Sequence, residues 1–495
     1  MRPSFNHIIV TSLLLTAIAT PTAAEEMDLK AAIEAVIEKH PELQISHLDQ
    51  RIAQTDSRRI EGMLDPVVTA RIGASEETTP TTSSFQPSET RLGQISGTIS
   101  KPLSSGGTLG ANFNYNRTSQ AYAPSPLAAQ LSSFNPAYRN QININYRHPL
   151  LKGNDRPDYE QSLIATQAGV RVADMQQLIT ARTLALQATN AWFQLSSDDI
   201  NIRIAEQAVK RAKALLSYQH TREKFGLIET ADRLQAEALL AARKTALQRA
   251  HGQRAASLSN LNRMMLRAPD SEISIQIDSI SDVATPTMAE SVALAEEKRA
   301  ELKLLQAQMD AAEAQLTMAR DGDKLQLDLV AELGTRALNS TAAGAAAGGF
   351  TINDHYASLS VELSEVVGRN SARAALEKAV LQQQRVAAQR VNTLEQIRSD
   401  ISTAITSLRS GRPTLLAARR QAEAEKRKFR AEMKRYREGR SDTATIVQFE
   451  GELRSAELNA DLQALILQLA NKQLLWAQGT LLESLHIDIA SSNGQ

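Results

Sequence analysis

Apolar and polar positions alternate with period two in six short stretches, and follow helical spacing along much of the remaining chain. In "LQLDLVAEL", Leu325, Leu327, Leu329, Ala331 and Leu333 share one face, while Gln326, Asp328 and Glu332 share the other. "ASLSVELS" sets Ala357, Leu359, Val361 and Leu363 against Ser358, Ser360 and Glu362. Earlier in the chain, "VVTARIG" aligns Val68, Ala70 and Ile72, and "ISGTIS" aligns Ile95, Gly97 and Ile99. "GANFNYNR" opposes Ala111, Phe113 and Tyr115 to Asn112, Asn114 and Asn116. "ININYR" opposes Ile142, Ile144 and Tyr146 to Asn143, Asn145 and Arg147. Period two with one apolar face predicts strands. Four are expected in the first half and two in the second.

The connections differ in length. "PLSSGG" reads as a tight turn between the second and third strands, whereas 75–90, 118–138 and 335–355 read as long polar loops. Short turns on one side, long loops on the other and an asparagine-rich face suit a water-filled membrane barrel. A soluble sandwich with one wet face is the alternative.

The helical pattern falls in two sizes. Residues 29–60 and 288–319 form the shorter segments; Pro41 predicts a break near His40 in the first. Residues 157–222 hold no internal proline and one glycine, Gly169; 371–437 hold Gly411 and Pro413, the latter expected to bend or divide the helix. Each long segment, if helical, extends roughly 100 Å at 1.5 Å per residue. Narrow stripes such as Leu184, Leu186, Ala188 and Ala191 suit close, coiled-coil-like packing.

Two echoes run through this pattern. "IEKHPELQ" from Ile37 and "EEKRAELK" from Glu296 lie 259 residues apart; "GLIETADRLQAE" from Gly226 and "GRSDTATIVQFE" from Gly439 lie 213 apart. They occur in the same order, which predicts a duplicated unit: a first repeat over 25–270, a second over 271–485 and a tail over 486–495. The first repeat's surplus of about 46 residues matches an extra hairpin near 91–117 with its following loop. Gly226 and Gly439 are expected to end the long helices in left-handed caps, with Thr230 or Ser441 capping the returning helix. The chain then builds strands plus a long helical hairpin twice, and the two echoing segments are the hairpin tips.

Composition narrows the chemistry. The 55 basic and 55 acidic residues balance, so nothing points to nucleic acid. There is no cysteine, which excludes disulfides, thiol catalysis and a lipid-anchoring cysteine. The eight histidines show no HExxH-like spacing, and "SSGG" and "GAAAGG" lack the lysine of a phosphate loop. No enzyme activity, cofactor or metal is expected. Arg2, the uncharged run 8–19 and small residues at Thr22 and Ala24 predict a secretory signal over 1–24, cleaved after Ala24. A membrane anchor is the alternative, but the run is too short to span a bilayer easily.

The order of these features resembles the outer membrane efflux (TolC-like) family. The resemblance rests on the "KHPEL" and "KRAEL" openings, strand pairs before long helices, "HPLLKGNDRP" closing the first strand set, and the twin glycine tips. It covers nearly the whole mature chain and implies an α+β membrane protein. Three copies would form an outer-membrane β-barrel continued by a periplasmic α-helical coiled-coil barrel. The implied partners are two further copies, a periplasmic adaptor (membrane fusion) protein, an inner-membrane transporter and outer-membrane lipid. The implied role is the passive exit duct of a tripartite efflux or type I secretion system; a periplasmic coiled-coil scaffold without a pore is the competing function. Six strands alone enclose no useful aqueous pore, and an open sheet edge is not viable in lipid. Three copies would supply eighteen strands if all six insert, or twelve if the extra hairpin stays outside.

The resemblance also implies site residues. The first tip matches the family's glycine, apolar pair and aspartate with Gly226, Leu227, Ile228 and Asp232; the second departs with Gly439, Arg440 and Ser441. These are the expected adaptor-docking tips. The family's acidic entrance positions correspond to Thr445 and Gln448 here, leaving Asp442 and Glu450 as acidic substitutes. For each of those two, solvation or pairing between helices is the ordinary alternative.

Overall fold

The computed structural model describes residues 25–83, 85–122, 134–276 and 285–488. The expected signal over 1–24, part of the 118–138 loop and the tail from 489 lie outside the described residues. The elements run β1 (Glu25–Met27), α1 (Leu29–Lys39), α2 (Pro41–Glu61), a 3-10 turn (Gly62–Leu64), β2 (Val67–Thr78), β3 (Pro87–Pro102), β4 (Thr108–Tyr122) and β5 (Ala137–Pro149). Then come α3 (Pro157–Lys224), α4 (Thr230–Met264), β6 (Ile273–Ile275), α5 (Met288–Lys298), α6 (Ala300–Gly322), β7 (Gln326–Asn339), α7 (Ala342–Gly348) and β8 (His355–Ser364). The chain closes with α8 (Asn370–Arg437), α9 (Thr443–Ala477) and α10 (Leu481–Ser484).

Two compact units emerge, and each draws on both halves of the sequence. Among the described residues, one comprises 25–45, 178–276, 285–299 and 395–488; the other comprises 46–83, 85–122, 134–177 and 300–394.

The first unit is helical. Asp28 caps α1 by accepting the Ala31 N–H at 2.7 Å, and Leu29, Ala32, Ile33, Val36 and Ile37 form its buried face. That face packs on Leu184, Ala188, Trp192 and Leu195 of α3 and on Leu261 and Met265. Leu186, expected in the α3 stripe, is only half-buried, and Ala185 takes the core position. The short β1–β6 parallel pair, Glu25 opposite Ile273, was not legible as a strand pattern over three residues. α1 ends at His40 with extended backbone (ψ 129°), as a residue before proline favours.

The second opening segment is also broken, which corrects the single helix expected over 288–319. Arg299 is extended (ψ 122°) although no proline follows it. It lies 259 residues after His40, the spacing of the sequence echo. Packing sets this break. Arg299 is 6% exposed, its guanidinium lies 4.8 Å from the Trp476 ring centre, and it donates to the Ala477 carbonyl at 3.3 Å. The expectation that Pro413 divides the second long helix is also corrected as to division: α8 runs through it. Leu408, Leu415 and Ala418 are buried on both sides of the proline, so side-chain packing offsets a penalty of about 3 kcal/mol.

The second unit holds an antiparallel sheet of order β2-β3-β4-β5-β7-β8, so four strands come from the first half and two from the second. "PLSSGG" makes the expected tight turn: the Leu103 N–H donates to Gly107 O at 2.8 Å, and Gly106 adopts φ +90°. The 75–90 and 335–355 loops are shorter than expected, because ladder bonds carry β2 to Thr78 and β7 to Asn339. The β7–β8 connection also contains α7, capped by Thr341.

The faces of the sheet differ. Ile72 is 82% exposed, and Leu333, Leu359 and Val361 are exposed on the same face. The opposite face carries a hydrogen-bonded row: Asn112 Nδ2 donates to Asn143 Oδ1 at 2.7 Å, and Tyr356 donates to Glu332 at 2.6 Å. Arg147 bridges Asp328 and Glu362 at 2.7 and 2.6 Å.

Candidate functional site

The two hairpin tips lie in the helical unit, and both end in the same backbone motif. At the first, Leu227 N–H donates to Arg222 O and Gly226 N–H to Glu223 O, each at 2.9 Å, with Gly226 at φ +67°. At the second, Arg440 N–H donates to Arg435 O at 2.9 Å and Gly439 N–H to Tyr436 O at 3.1 Å, with φ +75°. These paired bonds satisfy the last carbonyls of α3 and α8 and require a left-handed residue, the glycine role expected from the sequence. The basic residues Arg222, Lys224, Lys434, Arg435 and Arg437 occupy the last turns, where the helix dipole favours cations.

The returning helices start one residue away from the expected caps. Asp442, not Ser441, caps α9: its carboxylate accepts the Thr445 N–H at 2.7 Å, which holds it below the ordinary aspartate range. Asp442 fits because its side chain reaches the third helical N–H; Ser441 lies one residue too early. Thr230 is the first residue of α4. The capping position belongs to Glu229, whose side chain makes no cap bond.

The tips differ in surface character. Phe225 and Leu227 are strongly exposed, Ile228 and Asp232 are half-buried, and Gly226 is open to solvent. At the second tip Gly439 and Arg440 are exposed, Ser441 is half-buried, and Arg440 pairs with Glu438. One tip presents apolar surface and the other presents charge.

Behind the glycines the hairpins are joined by residues that the sequence pattern did not single out. Gln219 donates to Thr443 Oγ1 at 2.6 Å, and the Tyr436 hydroxyl meets the same oxygen at 3.0 Å. Arg222 lies 5.7 and 5.8 Å from the Tyr218 and Tyr436 ring centres. Burial pushes the Tyr436 phenol above its usual range. Gln219 and Thr443 carried no signal, because their pairing spans 224 residues.

The four entrance candidates separate in the structure. Asp442 and Gln448 are exposed and Thr445 is half-buried. Gln448 lines an open groove of ≈ 650 Å³ with Gln421, Glu425, Glu452 and Arg454. Glu450 is different: its carboxylate is buried between Arg211 of α3 at 3.3 Å and Arg243 of α4 at 2.6 Å. The pairing alternative therefore describes Glu450, and it offers no exposed charge in this chain. Its repeat counterpart Glu237, 213 residues earlier, is 57% exposed and pairs with Arg233 along its own helix.

No His/Cys/Asp/Glu group that could hold a metal occurs among the described residues, and no described helix is long and apolar enough to cross a membrane. No family model matches the sequence, and no curated sequence matches it. Solved structures do match. The outer-membrane channel OprN superposes with a TM-score of 0.68 at 16% identity, covering 91% of this chain and 90% of that one. The chain has the fold of the TolC-like outer-membrane channels. VceC, an outer membrane protein of Vibrio cholerae, gives 0.65 at 16% identity over 91% of this chain and 96% of its own. The Campylobacter jejuni outer membrane channel CmeC gives 0.67 at 12% identity over 99% and 97%. The TolC-like likeness therefore spans sheet, long helices and tips together.

Proposed function

We propose that this chain is the outer-membrane exit duct of a tripartite efflux or type I secretion system. Three copies form it, and substrates cross it passively after delivery by an inner-membrane transporter and a periplasmic adaptor. The observation that carries this reading is the two-faced sheet within a TolC-like fold. One face exposes Ile72, Ile144, Leu333 and Leu359, and the other is knitted from asparagines, Glu332 and Arg147. A soluble scaffold has no use for that much exposed apolar surface. A barrel has lipid for it outside and water for the polar face inside.

The tips then face the periplasm and dock the adaptor. Gly226, Leu227 and Ile228 supply an apolar contact with the exposed Phe225, Asp232 adds a carboxylate beside it, and Gly439, Arg440 and Ser441 supply a polar contact. Asp442, Thr445 and Gln448 lie at the start of α9, where a narrowing entrance is formed by three copies. Glu450 acts behind them by holding α9 to α3 and α4. Export begins with a cleaved signal over 1–24, and the duplicated unit supplies both hairpins.

The test is export in the native host. Deleting the gene should make cells retain the substrates of the partner pump, and a plasmid copy should restore export. Restored export by a copy lacking β2–β5 would overturn the duct reading.

A further inference from the structure

We infer that all six strands of each chain enter one wall, so that three chains close an eighteen-stranded barrel rather than a twelve-stranded one. This rests on the duct reading above and fixes the size of its pore.

The β3–β4 hairpin is the element in question, since it is the surplus of the first repeat. It shares both faces of the sheet without interruption. On the apolar face one register row runs Val68, Ile99, Ala111, Ile144, Leu333, Ala357, crossing every strand. The next row, on the polar face, runs Thr69, Thr98, Asn112, Asn143, Gly334, Tyr356. A hairpin lying outside a barrel in water would not need its apolar side in register with the lipid-facing side of its neighbours.

The hairpin is also bonded into the wall by side chains. Asn112 of β4 donates to both Asn143 and Asn145 of β5, and Asn143 donates to Glu332 of β7 at 2.5 Å. On the apolar face α7 bridges the same strands: Tyr115 of β4 donates to Ala342 O at 3.0 Å, and Asn140 of β5 donates to Ala346 O at 3.3 Å. Setting the hairpin aside would break the β2–β3 and β4–β5 ladders, and a direct β2–β5 pairing would restore only one. Unpaired backbone in hydrocarbon costs several kcal/mol per group.

The edges fit a second copy of this chain. β2 and β8 end the sheet. Because the sheet is antiparallel with an even number of strands, β8 of one copy meets β2 of the next antiparallel, and the alternation closes without a break. At eighteen strands a barrel leaves an aqueous channel.

The test counts strands by electron microscopy of the detergent-extracted protein. It is joined to cysteine labelling in native membranes, which the cysteine-free sequence makes clean. Variants Ala111→Cys and Asn112→Cys probe the two faces of β4, and Leu333→Cys marks the lipid face of β7. Eighteen strands, with loss of labelling by a membrane-impermeant maleimide at A111C and L333C but not at N112C, is the expected result. Twelve strands with A111C labelled and L333C shielded would overturn this inference and leave the duct standing. L333C labelled as fully as N112C, with no ring of three, would overturn both.

Discussion

Glu450 and Arg243 meet across α9 and α4 at 2.6 Å, with the glutamate side chain only 2% exposed. The same position in the first repeat, Glu237, sits in solvent. A buried carboxylate held by two arginines leaves a large penalty when one partner is removed. Glu450→Ala should therefore destabilise the helical unit by about 3–5 kcal/mol, whereas Glu237→Ala should cost under about 1 kcal/mol. Thermal melts of the two variants in detergent check this, and equal melting temperatures would refute it.

The tip glycines should tolerate no β-branched residue. At φ +67° and +75° a valine is strained by about 1–3 kcal/mol. Gly226→Val and Gly439→Val should reduce cross-linking to the adaptor and lower export. Gly252→Ala is the control, since it lies within α4 with open space around it and should be neutral or slightly stabilising. Full export by both valine variants would remove the tips from the docking surface.

Asp442 should make the start of α9 sensitive to acid. Its folded pKa is lowered below its unfolded value because the carboxylate accepts the Thr445 N–H. The cap's contribution is thus complete above the unfolded pKa, near 4, and is lost as pH falls through the lower folded value. Asp442→Ala should cost about 1 kcal/mol at neutral pH, and Asp442→Asn much less. Amide hydrogen exchange over the first turn of α9, compared at neutral and strongly acidic pH, reads this directly; acid-independent protection would contradict it.

The two faces of the sheet should respond oppositely to charge. Ile144→Arg places a cation on the apolar face and should cost about 2–4 kcal/mol if it lies near the bilayer midplane, with reduced insertion. Thr98→Asp, in the adjacent register row on the polar face, should insert normally and shift ion selectivity toward cations. Bilayer recordings and outer-membrane yield distinguish these results from a sheet that is wet on both sides.

Local physics made much of this fold legible. The alternation from Leu327 to Leu333 fixed its strand, Pro41 marked the break at His40, and Gly226 and Gly439 marked their caps. The missed features depend on distant partners. Arg299 breaks a helix because Trp476 and Ala477 hold it, and no residue beside it announces this. Glu450 is indistinguishable from Glu237 in sequence; only Arg211 and Arg243, more than 200 residues away, make it a buried charge. Pro413 predicted a bent or divided helix from its own chemistry, and with packing on both sides the helix is not divided. The site divides the same way: the glycines carried their signal alone, whereas Gln219 and Thr443 had meaning only as a pair.

The central claim is that the polar face lines a water-filled pore through the outer membrane. Purified protein should therefore be reconstituted into a planar lipid bilayer and its conductance recorded. The account predicts discrete ion-conducting steps from a detergent-extracted trimer. Protein that stays soluble without detergent and leaves the bilayer sealed would contradict it.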